Sequence, residues 1–288
     1  MAEPKVRTIS VIGAGIMGSG IAHVSAAGGF RTILYDISAD VLKNGKQLIT
    51  ANLAKGVELK KISREEMESA LSNLTFSESF EAAAQGDFII EAIPENLDLK
   101  LQTFAELDRR APATSIFASN TSALSITEMA AATNRPSQMI GMHFFNPVHK
   151  MKLIEIIKGL ETNPQTLQTT EQVGLAMGKE TVEVRESPGF VTSRINALIG
   201  NEAFYMLQEG IASAEDIDRA LKLGLNHPMG PFEMVDLVGL DTRLSILHFL
   251  HQTLGEKYRP CPLLIQYVKA GRLGRKSGKG VYDYSGKA

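Results

Sequence analysis

Val6-Arg7-Thr8-Ile9-Ser10-Val11-Ile12-Gly13-Ala14-Gly15-Ile16-Met17-Gly18 opens the chain, and its reading decides the fold. Val6 to Ile12 is a near-continuous apolar run, the pattern of a strand buried on both faces of a parallel sheet. Ile16 to Ala27 is rich in small and apolar residues and reads as a tightly packed helix. Between them lies G-x-G-x-x-G. In that setting the first glycine makes a tight turn, the second lets backbone approach a pyrophosphate, and the third lets helix and strand pack closely. The helix N-terminus then offers N–H groups and partial positive charge to phosphates. An acidic residue roughly 20 positions further on is expected to accept ribose hydroxyls. Asp36 stands there, after a second strand at Arg31–Tyr35. A carboxylate there repels a 2′-phosphate, so NAD is expected rather than NADP. A Gly-rich turn that binds FAD, or nothing, would share the bare pattern.

Outward from this unit, strand and helix keep alternating. Phe88–Glu91, Ser115–Ser119 and Met139–Phe145 read as strands, with helices at Leu97–Arg109 and Ser125–Ala132. Such alternation predicts a doubly wound sheet. Residues 38–72 are polar and helix-favouring; Gly56 and the capping-box pattern Ser63-Arg64-Glu65-Glu66 are read as breaking them into a helical hairpin. After Val184 the character changes. Ser187-Pro188-Gly189 is a breaker, with Pro188 read at a first helical position. Helix follows helix from Phe190, with openings at Ser213, Pro231 and Asp241. The fold class is therefore α/β: a Rossmann-type domain over 1–186, then an all-helical domain over 187–288.

Composition sets the bounds. The 288 residues suit two domains, and 44% hydrophobic with 22% charged residues is ordinary for a globular chain. A formal net charge of −2 argues against a nucleic-acid binder, although a small polyanion needs only a local basic patch. No apolar run approaches the roughly 20 residues that span a bilayer. The N-terminus runs into a strand without a leader-like apolar stretch, so no secretory leader is expected. The single cysteine excludes an internal disulfide, and a reducing cytoplasm is the expected location.

His143 and Glu155 carry the chemistry. Both are ionisable residues inside apolar strand-like runs, Met139–Phe145 and Lys152–Ile157, joined by a short loop containing Asn146-Pro147. An ionisable group in such a run costs free energy unless paired. If the runs lie side by side, each can be the other's partner. A His–carboxylate pair is a general base: imidazole takes the proton, and the carboxylate holds its tautomer and stabilises the imidazolium. A satisfied core histidine is the plainer alternative. Glu91-Ala92-Ile93-Pro94-Glu95 and Ser119-Asn120-Thr121-Ser122 are weaker signals at later strand ends, where ligands of open α/β sheets bind; the second could equally cap the helix that follows. His23 and His149 read as helix and loop residues. His248 and His251 lack ligand-spaced companions, so no metal is expected. Lys55, Lys60 and Lys61 are a solvated helix face or a phosphate patch.

Taken together, Gly13-Ala14-Gly15-Ile16-Met17-Gly18, Ser119-Asn120-Thr121-Ser122, Gly141-Met142-His143-Phe144-Phe145-Asn146-Pro147, Pro188-Gly189-Phe190, His227-Pro228-Met229-Gly230-Pro231 and the tail Leu273-Gly274-Arg275-Lys276-Ser277-Gly278-Lys279-Gly280 resemble the L-3-hydroxyacyl-CoA dehydrogenases, and among them the bacterial monofunctional 3-hydroxybutyryl-CoA dehydrogenases most. The resemblance covers essentially the whole chain. It implies NAD-dependent interconversion of 3-hydroxyacyl-CoA and 3-ketoacyl-CoA, with His143 catalytic, Glu155 its partner, and Ser122 at the substrate oxygen or nicotinamide. It implies that Glu95, Lys100 and Asn146 lie along the cofactor. Lys55, with Lys60 or Lys61, would lie near CoA phosphates on the hairpin, the acyl-CoA would lie between the domains, and the helical domain would form a homodimer. The chain departs from the family at Ser193, where the pattern Gly-Phe-Val-x-Asn-Arg usually has Asn; Ser193 is expected to contact substrate in its place. The rivals are a dehydrogenase of a free hydroxy acid on the same fold and a dinucleotide-binding protein without turnover. The full-length hairpin speaks against the first. His143, Glu155 and Ser122 speak against the second.

Overall fold

The computed structural model describes residues 6–286. They divide into two compact units, one ending at Glu186 and one beginning at Ser187.

The first unit runs β1 (Thr8–Ile12), α1 (Ile16–Ala27), β2 (Arg31–Tyr35), α2 (Ala39–Glu58), α3 (Arg64–Ser72), β3 (Leu74–Ser77), α4 (Phe80–Ala83), β4 (Phe88–Glu91), α5 (Leu97–Arg110), β5 (Ile116–Ser119), α6 (Ile126–Ala131), β6 (Met139–Phe144), β7 (Leu153–Lys158), α7 (Pro164–Ala176) and β8 (Glu180–Arg185). The eight strands form one sheet in the order β3-β2-β1-β4-β5-β6-β7-β8. β1 to β6 pair in parallel, β7 runs antiparallel to β6, and β8 is parallel to β7. The chain order reverses direction across the sheet at β1, the switch point where a ligand crevice forms outside the carboxyl ends of the strands. Ile9, Val11, Phe88, Ile90, Ala118, Ile140 and Ile154 are buried in the core of this sheet.

The hairpin forms, but Gly56 does not break it. α2 continues to Glu58, and the chain turns at Lys60, whose φ is +54°. Lys60 N–H donates to Val57 O and Lys61 N–H to Gly56 O, the 5→2 and 6→1 bonds that close a helix end. Gly56 serves the turn by closeness instead: a Cβ there would stand 3.1 Å from Ile62. The capping box that starts α3 is present, with Glu66 N–H on Ser63 Oγ at 3.1 Å and Ser63 N–H on Glu66 Oε2 at 2.6 Å.

The second unit is helical: α8 (Thr192–Gln208), α9 (Ala214–Gly224), α10 (Pro231–Val238), α11 (Leu240–Leu254) and α12 (Pro262–Lys269). Pro188 is not a first helical residue. Gly189 (φ +72°) and Phe190 (φ +50°) form a left-handed turn, and the helix begins only beyond it, at Thr192. Pro231 does open its helix at the first position. The core joins Phe204, Phe232, Leu247, Tyr258 and Leu264, with Phe204 and Phe232 edge to face at 5.3 Å. The tail folds back on Asp236, whose carboxylate accepts Val281 N–H, Tyr282 N–H and the Tyr284 hydroxyl.

Candidate active site

The Gly-rich turn has the stereochemistry a dinucleotide requires. Gly13 has φ +99°, and a Cβ on it would lie 2.8 Å from Ala92 O. A Cβ on Gly18 would lie 1.7 Å from Gly13 O, so only glycine lets α1 approach β1 this closely. Gly15 differs from both. A Cβ there would meet no protein atom within 4 Å, so the protein itself does not require glycine at this position. That is the pattern of a backbone kept bare for a ligand. α1 has no side-chain cap and no acidic residue in its first turn, and Ile16 is 67% exposed beside it. Asp36 stands at the end of β2. Its Oδ2 accepts Ala14 N–H at 2.8 Å and its Oδ1 accepts Ser38 N–H at 3.0 Å. The carboxylate thus braces the Gly-rich turn. These features fit NAD, whose pyrophosphate Gly13, Gly15, Ile16, Met17 and Gly18 would hold and whose ribose Asp36 would hold.

At the carboxyl ends of β4 and β5 the structure brings together residues that sequence reasoning named only in part. Glu91, wholly buried, accepts Lys100 Nζ at 2.5 Å, Ile93 N–H at 2.7 Å and Ser119 Oγ–H at 2.6 Å. Burial is the largest influence on Glu91 and raises its carboxyl above the ordinary range, against the opposing pull of Lys100 and the other donors. Lys100, 1% exposed, also lies 3.3 Å from Glu95 Oε2. Glu95 Oε1 accepts the Thr121 hydroxyl at 2.6 Å and Ser122 N–H at 2.9 Å. One connected network therefore runs from the buried strand end through Lys100 and Glu95 to Ser122. Asn120 extends it to β6, because its Oδ1 accepts Phe144 N–H at 2.9 Å. Glu91, Ser119 and Asn120 stand in the two strand-end stretches named from the sequence, which gave them no individual role. A glutamate ending the apolar strand Phe88-Ile89-Ile90-Glu91, nine residues before a lysine, was the available signal.

His143 and Glu155 are register partners across the antiparallel β6–β7 pair. His143 Nδ1 lies 2.8 Å from Glu155 Oε2, and the two side chains are 7% and 0% exposed. Opposed cross-strand residues project to the same face, which is why the pair meets. The Phe145 ring lies 4.6 Å from the imidazole, centroid to centroid. Asn146 is exposed and precedes Pro147 through a cis peptide bond. Lys179, buried in the turn between α7 and β8, donates to Val148 O and Met151 O and pins this loop; it had no sequence signal.

The remaining named residues fall elsewhere. Lys55, in the last turn of α2, pairs with Glu58 at 2.9 Å; Lys60 and Lys61 are exposed at the hairpin turn. Ser193 is half-buried in the first turn of α8, in the helical unit, where neighbouring Arg194 Nε–H donates to the Tyr258 hydroxyl at 2.6 Å. Among the described residues, no group of three or more His, Cys, Asp or Glu could hold a metal ion. Nor is any helix among them long and apolar enough to cross a membrane.

Fold and Gly-rich turn together define a dinucleotide-binding protein of Rossmann type. Comparison with known proteins narrows the class. Residues 8–187 match the family described as 3-hydroxyacyl-CoA dehydrogenase, NAD binding domain, and residues 189–284 match 3-hydroxyacyl-CoA dehydrogenase, C-terminal domain. A protein of Bacillus subtilis (strain 168) named probable 3-hydroxybutyryl-CoA dehydrogenase is 48% identical over 284 residues, 98% of this chain and 99% of its own. The human mitochondrial hydroxyacyl-coenzyme A dehydrogenase is 40% identical, over 97% of this chain and 91% of its own. The crystal structure of (S)-3-hydroxybutyryl-CoA dehydrogenase PaaH1 from Ralstonia eutropha superposes with a TM-score of 0.94 at 42% identity, over 97% of this chain and 99% of that one. The chain belongs to the 3-hydroxyacyl-CoA dehydrogenase family, and it is an NAD-dependent dehydrogenase.

Proposed function

We propose that this enzyme interconverts (S)-3-hydroxyacyl-CoA and 3-ketoacyl-CoA, with 3-hydroxybutyryl-CoA and acetoacetyl-CoA as its substrate pair, and that His143 and Glu155 form its general base. The observation that carries the reading is the 2.8 Å contact between the buried His143 Nδ1 and Glu155 Oε2. With Nδ1 committed to Glu155, proton exchange with substrate falls to Nε2. In oxidation, His143 takes the proton of the 3-hydroxyl. In reduction, the imidazolium returns a proton to the developing alkoxide. Glu155 stabilises the charged imidazolium by its opposite charge. Bound NAD supplies the hydride acceptor for C3. Ser122, held by Glu95, and Asn146 donate hydrogen bonds near the reacting oxygen and the nicotinamide. Ser193 contacts the substrate with a single hydroxyl, and hairpin lysines receive the CoA phosphates. The relatives named for 3-hydroxybutyryl-CoA support a short acyl chain.

The second unit serves substrate binding and dimerisation, in a cytoplasmic enzyme. Ile195, Ile211, Leu223, Leu225 and Leu237 are 54, 63, 80, 66 and 49% exposed, an apolar excess that suits an isologous interface.

The test is reduction of acetoacetyl-CoA followed by NADH absorbance, alongside longer 3-ketoacyl-CoAs and free acetoacetate. Turnover of acetoacetyl-CoA with little activity on the free acid supports the reading. Preference for the free acid overturns it.

A further inference from the structure

Asn146 has no anchor of its own. It is exposed, and among the described residues its side-chain amide has no hydrogen-bond partner. Its place is therefore set by the backbone of the loop over residues 145–152, which joins β6 to β7. Most of that loop faces solvent: Pro147, Lys150, Met151 and Lys152 are exposed. A tight turn folds it, with Lys150 N–H and Met151 N–H both donating to Pro147 O, at 2.9 and 3.0 Å. Such a turn fixes the loop's shape but not its place on the domain. Two contacts fix the place. Val148, 3% exposed, is seated against α1, where a Cβ on Gly20 would come within 2.8 Å of it. Lys179 Nζ donates to Val148 O and Met151 O, the carbonyls that flank His149-Lys150 in sequence.

Lys179 is itself held at the backbone. Gly178 (φ +72°) N–H donates to Leu175 O at 2.9 Å and Lys179 N–H to Gly174 O at 3.1 Å, the pair of bonds that closes the end of α7. The next residue enters the sheet, with Glu180 N–H on Lys152 O at 2.8 Å. A lysine is a costly choice for fastening a loop. Lys179 is 6% exposed, both of its acceptors are neutral carbonyls, and it makes no ion pair among the described residues. Burial lowers Lys179 from its ordinary value, because the ammonium loses hydration without gaining a counter-charge. An apolar contact would hold the loop without that penalty. What the ammonium adds is two charge-assisted bonds from one atom, which fix two points of the loop relative to each other and to the sheet.

We propose that Lys179 is a positioning residue for the reaction: by holding Val148 O and Met151 O it places Asn146 for hydride and proton transfer. The proposal rests on the role given to Asn146 above. Lys179 acts through the loop and touches no reacting atom. It should therefore act on kcat while leaving NADH affinity, which rests on the Gly-rich turn and Asp36, little changed.

The test is a double-mutant cycle in the full chain between Lys179→Met, which keeps an unbranched side chain but donates nothing, and Asn146→Ala. kcat for acetoacetyl-CoA reduction at saturating NADH is measured below each variant's Tm, with NADH affinity alongside. A misplaced reacting group costs about 10–100-fold, so Lys179→Met is expected to lower kcat by that factor with NADH affinity little changed. The double variant is expected to be no slower than the slower single variant, because both changes remove the same contact. A purely structural lysine would lower Tm and leave kcat alone. Near-normal kcat in Lys179→Met therefore overturns the proposal while leaving the role of Asn146 intact. Losses that multiply in the double variant overturn it too, because Lys179 then acts elsewhere. Normal turnover by Asn146→Ala overturns both this proposal and the role of Asn146. Should Lys179→Met fail to fold, Lys179→Gln, which keeps a neutral donor, takes its place in the cycle with the same outcomes.

Discussion

Lys100 and Glu91 form a sealed ion pair at the carboxyl end of β4: Nζ to Oε1 is 2.5 Å, and the side chains are 1% and 0% exposed. The pair stands one step behind the reactive residues, since Lys100 also touches Glu95 and Glu95 holds Ser122. Removing one partner of a buried pair strands the other's charge, at a cost of about 3–5 kcal/mol. Lys100→Met is therefore expected to lower the unfolding free energy by that amount in urea titrations. Lys100→Met/Glu91→Gln should recover much of it, because the second substitution removes the stranded charge. Stability restored without activity would separate the pair's electrostatic role from its positioning of Ser122.

Asp36 braces the Gly-rich turn and is proposed to hold the ribose, and substitution should reveal both tasks. Like-charge repulsion with a 2′-phosphate predicts a preference for NADH over NADPH of at least about 10-fold in kcat/KM. Asp36→Ala should erase most of that preference. It should also raise KM for NADH, because Ala14 N–H loses its acceptor at 2.8 Å and the Gly-rich turn loosens. Cofactor kinetics with both nucleotides check this. Equal use of NADPH by wild type would contradict it.

Stability should fall in acid through His23. Burial first, then His149 and Lys179, push its imidazole down from 6.5 to about 4. The unfolded chain therefore binds the proton more readily between those values, and stability rises with pH across that window. Full stability is present above about pH 6.5 and declines as pH falls toward 4, by up to about 3 kcal/mol. Denaturant titrations from pH 7 to 4.5 should show this slope in wild type and a shallower one in His23→Gln.

The exposed apolar residues of the helical unit predict a dimer. Light scattering at micromolar concentration should report twice the 31.3 kDa chain mass. Leu225→Glu and Leu237→Glu, singly or combined, should shift it toward the monomer. A wild-type monomer would rule the interface out.

Much of this was legible in the sequence, and the rest was hidden for identifiable reasons. β1, α1 and β2 read correctly because a buried parallel strand followed by G-x-G-x-x-G leaves little freedom. His143 and Glu155 could be paired in advance because each was an ionisable residue in an apolar run. The edge strands were not seen. β3 is four residues, three half-buried and Thr75 exposed, and β8 is mostly exposed, so neither carries a strong apolar signal. The turn at Lys60 was misplaced because a lysine with positive φ leaves no compositional mark, whereas the nearby glycine invited the wrong assignment. Glu91 was underread because its partner Lys100 lies on the next helix, and only the fold brings them to 2.5 Å.

The central claim is that proton transfer runs through His143 held by Glu155. It is tested most directly by the turnover number of His143→Ala for acetoacetyl-CoA reduction at saturating NADH, with NADH affinity measured on the same protein. Loss of a general acid–base predicts a fall in kcat of about 10²–10⁴-fold with NADH binding little changed. A variant with near-normal kcat would contradict the mechanism.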